Sequence, residues 1–236
     1  MNGPIEIELT EYRLRLQREL RQSESARLRG FFGETFCDEI LFHHHLPDGS
    51  FLYQYPRVQF KILNKTALVL GFAEGSELLG KLWLKVDEAR LGSEDLPVLE
   101  STLTRRTELL GETTDPVEYH FLTPWLALNQ DNDHRYTAAH SRQERADLLE
   151  ATMIGNCLSL AKAFGHQVGI RLKAECYGLR QVNAALKGVP MRGFVGTFRM
   201  NFFLPDKVGI GRSVSRGFGT VEKANHHVPK EARCDH

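Results

Sequence analysis

The sequence predicts an α+β fold of two tandem halves, each ordered strand, helix, strand, strand, helix, strand. Three observations carry this expectation. The 236-residue length divides into two domains of about 110 residues, each large enough for its own core. In the first half the apolar residues switch between a period of two and helical spacing in that order. A turn-rich segment, Gly111-Glu112-Thr113-Thr114-Asp115-Pro116, then reads as a linker, after which the pattern begins again. The expected division is 1–112 and 113–236.

Ile5, Ile7 and Leu9 alternate with polar residues, and past Thr10-Glu11 the phase shifts to Tyr12, Leu14 and Leu16. That predicts a long strand with a bulge or break in its middle. Ser23 and Ser25 supply caps for a helix carrying Leu28, Phe31, Phe32 and Phe36. Gly30 and Gly33 each cost this helix ~1 kcal/mol relative to alanine. Pro47-Asp48-Gly49-Ser50 is a turn, residues 51–63 alternate as a strand, Asn64-Lys65 turns the chain, and residues 67–71 form the next strand. A short helix over 77–82 and strands over 83–86 and 101–109 complete the first half. In the second half, residues 117–128 are strand-like with an interruption at Pro124. Ser141-Arg142-Gln143-Glu144 is a capping box that opens the clearest helix. Leu148, Leu149, Met153, Ile154, Cys157, Leu158, Ala161 and Phe164 form its apolar stripe, and Gly165 ends it. Strands follow over 168–174, 192–204 and 217–222, and the tail from Asn225 is polar and loosely held. The element order is that of two ferredoxin-like (βαββαβ) domains.

Composition narrows the function classes. Hydrophobic residues make up 42% and charged residues 25%, ordinary for a globular chain with a real core, and the formal net charge is zero. Any surface for nucleic acid must therefore be built by segregating charge. Cysteines at 37, 157, 176 and 234 have no regular spacing, which predicts reduced thiols rather than a disulfide framework. Acidic residues precede any apolar run at the start, and no stretch reaches the ~18 apolar residues of a membrane span, so a cytoplasmic protein without a membrane partner is expected.

Two constellations can carry chemistry. The first is His43-His44-His45 with Tyr53 and Tyr55 nearby. On an extended backbone His43 and His45 share a face. Two imidazoles there can divide general base and general acid work, because histidine titrates near neutral pH. RNA cleavage needs both roles: one group takes the 2′-hydroxyl proton, the other protonates the departing 5′-oxygen. The plain alternative is a surface loop. A metal site is set aside, since no carboxylate or cysteine stands at ligand spacing.

The second constellation is the glycine-rich run 204–219, with Lys207, Gly209, Gly211, Arg212, Ser213, Ser215, Arg216, Gly217 and Gly219 as candidate RNA contacts. Glycines let a backbone approach phosphate closely, and hydroxyl and guanidinium groups can hold it. A dinucleotide fingerprint would need glycine at Val214 and a following βα unit, and a Walker loop would need Gly-Lys-Ser/Thr. Neither is present. From Lys187 to Lys230 there are eight Lys/Arg against Asp206 and Glu222, a local excess of six positive charges. Phe194, Phe198, Phe202 and Phe203 are interleaved with them, so cations can face a phosphate backbone while rings face the core. The alternatives are a long structural turn and a solvated strand face.

Leu28-Arg29-Gly30 leading to Leu41-Phe42-His43-His44-His45, then Asp48-Gly49 and Tyr53-Gln54-Tyr55-Pro56-Arg57-Val58-Gln59-Phe60-Lys61, resembles the amino-terminal domain of the CRISPR-associated repeat-processing endoribonucleases, subtype-b branch. Thr123-Pro124-Trp125-Leu126-Ala127-Leu128-Asn129 and the loop through Ser213 to Val221 resemble its carboxy-terminal domain. The glycine-rich loop alone indicates the broader RAMP superfamily, which includes noncatalytic RNA binders. The resemblance implies a metal-independent endoribonuclease, with no cofactor, that cuts CRISPR repeat RNA to release guide RNAs. His43 and His45 would be catalytic, and Tyr53 would support them. The partners expected are the repeat RNA, other CRISPR effector subunits and a second copy of the chain. A guide-RNA-binding RAMP subunit that does not cut is the second reading, and a small-molecule phosphate-binding enzyme the third.

Overall fold

The computed structural model describes residues 3–43 and 55–224. β1 (Ile5–Leu16) runs unbroken. The phase change at Thr10-Glu11 is neither a bulge nor a break. Ile7 and Leu9 enter one hydrophobic core, while Tyr12, Leu14 and Leu16 enter another. Successive side chains of a strand point to opposite faces, so β1 serves one core with its first half and the other core with its second. Register with its neighbour slips only at the end, between Arg15 and Leu16.

A 3-10 turn over Gln22–Glu24 leads into α1 (Ser25–Thr35), so Glu24 rather than a serine stands at the N-cap. The Ser25 hydroxyl instead donates to the Gln22 carbonyl at 2.8 Å. Leu28 and Phe32 are its buried apolar residues, and α2 (Ile40–His43) follows. β2 (Val58–Leu63) is buried at every residue. It turns through Asn64 and Lys65, both left-handed (φ 48° and 64°), into β3 (Thr66–Phe72), the geometry a two-residue hairpin favours. α3 (Glu74–Leu82) starts earlier than expected. The expected strand at 83–86 is a 3-10 turn over Trp83–Lys85, because Leu78, Leu79, Leu82 and Trp83 keep helical spacing onto the core. The strand lies further on, as β4 (Glu88–Leu91).

β5 (Glu94–Phe121) is 28 residues long and includes the expected linker. The chain never leaves the sheet at 111–116; its register only slips between Glu112 and Val117. α4 (Gln130–Ala138), capped by Asn129, was not foreseen, since it buries no residue and has no apolar period. α5 (Arg142–Ala163) is the longest described helix at 22 residues. Ser141 accepts from the Glu144 amide at 3.1 Å, and Gly165 leaves the helix left-handed at φ 70°. The strand expected over 168–174 begins only at Ala174: β6 (Ala174–Leu186) turns through Lys187 and Gly188 into β7 (Val189–Phe203). Most of β6 is exposed and carries small or polar residues, so no alternation marked it. β8 (Val221–Lys223) ends the described fold.

All described strands join one eight-stranded sheet with the path β2-β3-β1-β5-β7-β6, and every described pairing is antiparallel. The path contains the ferredoxin-like order twice. β1, β2, β3 and β5 form the first unit, and β5, β6, β7 and β8 the second, so β5 is the last strand of one and the first of the other. In the second unit a glycine-rich loop, with a single 3-10 turn over Val214–Arg216, stands where a second helix would connect β7 to β8.

One core lies between the first unit's sheet and α1 and α3. The other joins Leu68, Leu70 and Phe72 of β3 to α5 and to Phe194, Phe198 and Phe202 of β7. The first unit's sheet is thus covered on both faces, as its unbroken burial requires. Among the described residues no helix is long and apolar enough to cross a membrane. Leu9 and Leu14, both wholly buried, sample the two cores from a single strand. Leu9→Ala and Leu14→Ala are each expected to lose about 2–5 kcal/mol in equilibrium urea unfolding. Glu8→Ala, on the exposed position just before Leu9, should stay within about 1 kcal/mol. A silent Leu14→Ala would contradict the second core.

Candidate nucleic-acid interface

The loop from Leu204 to Thr220 is built from two kinds of residue. Its base is a narrow ladder: Lys207 N donates to Val221 O at 2.9 Å, Val221 N to Val208 O at 3.0 Å, and Ile210 N to Gly219 O at 2.9 Å. A Cβ at Gly219 would stand 1.9 Å from the Ile210 carbonyl oxygen on a backbone at φ +63°, so only glycine fits. The tip then turns through left-handed Gly211, Ser213 and Gly217. Val214 is buried beneath it, while Arg212 is exposed and Ser213, Ser215 and Arg216 are half-buried.

β2 holds this loop from the first unit. Gln59 and Lys61 lie on its face toward the loop, both wholly buried. Gln59 accepts from Gly209 N at 2.9 Å and donates to the Tyr55 hydroxyl at 2.7 Å, and Tyr55 donates in turn to the Gly209 carbonyl at 2.5 Å. Burial pushes the Tyr55 phenol up, which keeps its proton in place. Lys61 Nζ donates to the Thr220 hydroxyl at 3.0 Å, and that hydroxyl donates to Gly217 O at 3.2 Å. Desolvation lowers the Lys61 ammonium to about 7. The supporting roles of Gln59 and Lys61 escaped sequence reasoning, because both alternate with apolar residues as a solvated face would.

The candidate contacts therefore separate. Gly209, Gly217 and Gly219 are buried and shape the loop. Lys207 is bound to Asp206 at 2.5 Å and to Glu11 at 3.1 Å, and Glu11 also pairs with Arg106, so Lys207 is neutralised. Desolvation opposes those partners at Glu11, which nevertheless stays below the usual carboxylate range. The local excess of charge counted along the sequence shrinks further, since Arg192 pairs with Asp133 and Arg199 with Glu118. Phe194, Phe198 and Phe202 are core residues, as their alternation with the cations required. What remains for a ligand is Gly211, Arg212, Ser213, Ser215 and Arg216.

Arg216 opens on a cleft of about 650 Å³ between the two units. Ser23 from the 3-10 turn and Arg27 from α1 line it, with Lys187 from the β6–β7 turn and Phe218 from the loop; no carboxylate is among its described lining residues. Glu24 nearby is engaged by Arg18 at 2.8 Å and lies 3.9 Å from Arg27. Burial, and next the charge of Arg216, push the Arg29 guanidinium down, so one further cation lies close to Arg216. Three donors with fixed positive charge around a cleft that also offers an aromatic ring suit a phosphodiester chain.

His43 closes α2, so the backbone there is helical rather than extended. His44, His45 and Tyr53 lie outside the described residues.

Two family models match the chain in tandem: the Cas6b N-terminal domain over residues 5–109 and the Cas6b C-terminal domain over residues 111–224. A crystal structure of Cas6b is similar with a TM-score of 0.87 at 32% identity, covering 93% of this chain and 100% of that one. A structure of the CRISPR RNA processing endoribonuclease Cas6b is similar with a TM-score of 0.74 at 30% identity, over 93% and 100% of the two chains. An uncharacterised protein of Methanocaldococcus jannaschii is 34% identical over 143 residues, 61% of this chain and 97% of its own.

The buried Lys61 makes stability depend on pH in a set direction. The unfolded chain keeps this proton up to the ordinary lysine range, whereas the folded chain releases it from about 7. Between those values the unfolded state binds more protons, so stability rises with pH, each unit of separation being worth about 1.4 kcal/mol. Lys61→Met should be more stable than wild type near neutrality, with an advantage that shrinks toward about pH 10. Urea unfolding across that range checks this; parallel profiles for the two proteins would mean that Lys61 keeps its charge inside.

Proposed function

The chain belongs to the Cas6b family, and on that footing we propose that it is an endoribonuclease that processes CRISPR repeat RNA without metal, through attack of the substrate's own 2′-hydroxyl. The observation that carries the binding half of this reading is the cleft of Arg27, Lys187 and Arg216 beside the loop tip, with no carboxylate among its described lining residues. A flexible polyanion entering it meets cations from both units at once. The chemistry belongs to residues 1–112 and the glycine-rich loop to residues 113–236.

In the proposed mechanism one of His43 and His45 accepts the 2′-hydroxyl proton. The freed oxygen attacks the adjacent phosphorus and forms a cyclic phosphate, and the bond to the 5′-oxygen breaks. The second imidazole protonates that leaving oxygen, and Tyr53 supports the pair. No metal-bound water is required, because the nucleophile comes with the substrate. The mechanism fits imidazole chemistry near neutral pH, where both protonation states are accessible.

Cleavage of labelled repeat RNA should proceed in EDTA and stop when the nucleotide before the cut is 2′-deoxy, with binding nearly intact. In single-turnover reactions at saturating enzyme, His43→Ala and His45→Ala should each slow the chemical step by about 10²–10⁴-fold. Arg27→Ala and Arg216→Ala should weaken binding and reduce the log–log salt slope by roughly 0.7 per lost single-strand phosphate contact. Cleavage of the 2′-deoxy substrate would reject the mechanism. Tight binding without any cleavage would instead favour a guide-RNA-binding subunit.

A further inference from the structure

The loop tip has a second side. Across it from Arg216 lies a cleft of about 660 Å³, lined by Arg57 from the start of β2, Ser159 and Lys162 from α5, and Ser213 and Ser215 from the loop. Three serine hydroxyls, the Tyr55 phenol and two cationic side chains line it, and no carboxylate is among its described lining residues. Arg57 is partly committed: its Nε pairs with Glu74 at 2.7 Å, its Nη2 donates to the Ala163 carbonyl at 2.6 Å, and it stacks 3.9 Å from the centre of the Phe164 ring. These contacts fix the guanidinium in place, while its Nη1 is buried with no hydrogen-bond partner. Lys162 is exposed and makes no ion pair among the described residues. Hydroxyl donors beside a fixed guanidinium, whose charge Glu74 partly offsets from outside the described lining, and an exposed ammonium match the oxygens of a phosphate.

The two clefts are neighbours along the chain. Ser215 lines this one and Arg216 lines the other, and the Cα atoms of consecutive residues stand about 3.8 Å apart. A nucleic-acid strand that crosses the tip of the loop meets both. We propose that the cleft of Arg57, Ser159, Lys162, Ser213 and Ser215 is a second phosphate-binding subsite, which holds a backbone phosphate of the same RNA strand on the α5 side of the loop. The inference rests on the RNA reading above and adds to it a two-sided track. In that track Arg57 is the pre-oriented element and Lys162 the adjustable one.

The variants for the test leave the frame of the loop alone. Lys162→Gln removes an exposed charge. Ser213→Gly removes a hydroxyl at a residue already left-handed at φ 58°, where glycine is unstrained. Lys81→Gln, an exposed lysine lining neither cleft, is the charge-matched control, and Arg216→Ala reports on the first cleft. Fluorescence anisotropy with labelled repeat RNA, repeated over a salt series, should give Lys162→Gln a Kd about three- to ten-fold higher and a salt slope shallower by roughly 0.7. Ser213→Gly should bind less tightly at an unchanged slope, and Lys81→Gln should match wild type. Single methylphosphonate linkages then locate the contact: one neutralised linkage should weaken wild type and leave Lys162→Gln no weaker than before. If Arg216→Ala weakens binding while Lys162→Gln and Ser213→Gly behave like Lys81→Gln, or if no linkage couples to Lys162, the second subsite is overturned and the RNA reading stands. If neither Arg216→Ala nor Lys162→Gln changes binding, the RNA reading falls and the subsite with it.

Discussion

A strand buried on both faces cannot leave its polar side chains without partners, and β2 is such a strand. Gln59 and Lys61 occupy its loop-facing side with no access to water. An unsatisfied buried amide or amine costs about 1–3 kcal/mol, and more when charged. The partners come from the glycine-rich loop of the other unit, through Gly209 N and the Thr220 hydroxyl. The loop must therefore lie flat on β2, and a flat loop that reverses in so short a distance needs the left-handed positions of Gly211, Gly217 and Gly219. The glycines that suggested phosphate contact in the sequence are needed first for this internal fit. Their neighbours, the exposed Arg212 and the half-buried Ser213, Ser215 and Arg216, are left at the loop tip as a result.

The same constraint ties the units together. β5 passes through both as one strand, and β3 shares a core with α5. Glu112, at the register slip of β5, accepts from Gly169 N at 2.8 Å and contacts His166 at 2.5 Å, which fastens the end of α5 to the strand junction. The hydrogen bonds to Gly169 and His166 outweigh desolvation and keep the Glu112 carboxyl low. A cleft between two units joined by a continuous sheet and a common core is largely preformed. Its side chains need little ordering when a ligand enters, and less ordering means less affinity lost.

Much of the fold was legible because it follows from periodicity. α5 was readable from Ser141, its stripe and Gly165, and the hairpin at Asn64-Lys65 from two residues that tolerate left-handed backbone. The β1 pattern was read correctly as a phase shift but assigned to the backbone, when its cause is tertiary: the buried face changes along a straight strand. β6 and α4 were illegible for the opposite reason, since each exposes most of its residues and so carries no apolar rhythm. The linker at 111–116 misled because Gly111 and Pro116 signal turns in isolation, whereas here they sit at a slip in register within a strand. For the site, the loop and Arg216 were readable, but Arg27 and Lys187 belong to distant elements that only the fold brings together.

Zero net charge is compatible with a nucleic-acid surface because the acids are spent elsewhere. Arg18, Arg57, Arg106, Arg192 and Lys207 each pair with a carboxylate on another element or turn. None of those carboxylates is among the described residues lining the clefts beside the loop. A uniformly basic chain would bind polyanions everywhere and select nothing, since sequence-independent attraction follows total charge. On the proposed reading, a neutral chain with no carboxylate among the described lining of its two clefts confines that attraction to the loop tip, where backbone shape and hydroxyl donors add discrimination to it. Segregation of charge, rather than excess of it, is what the fold supplies.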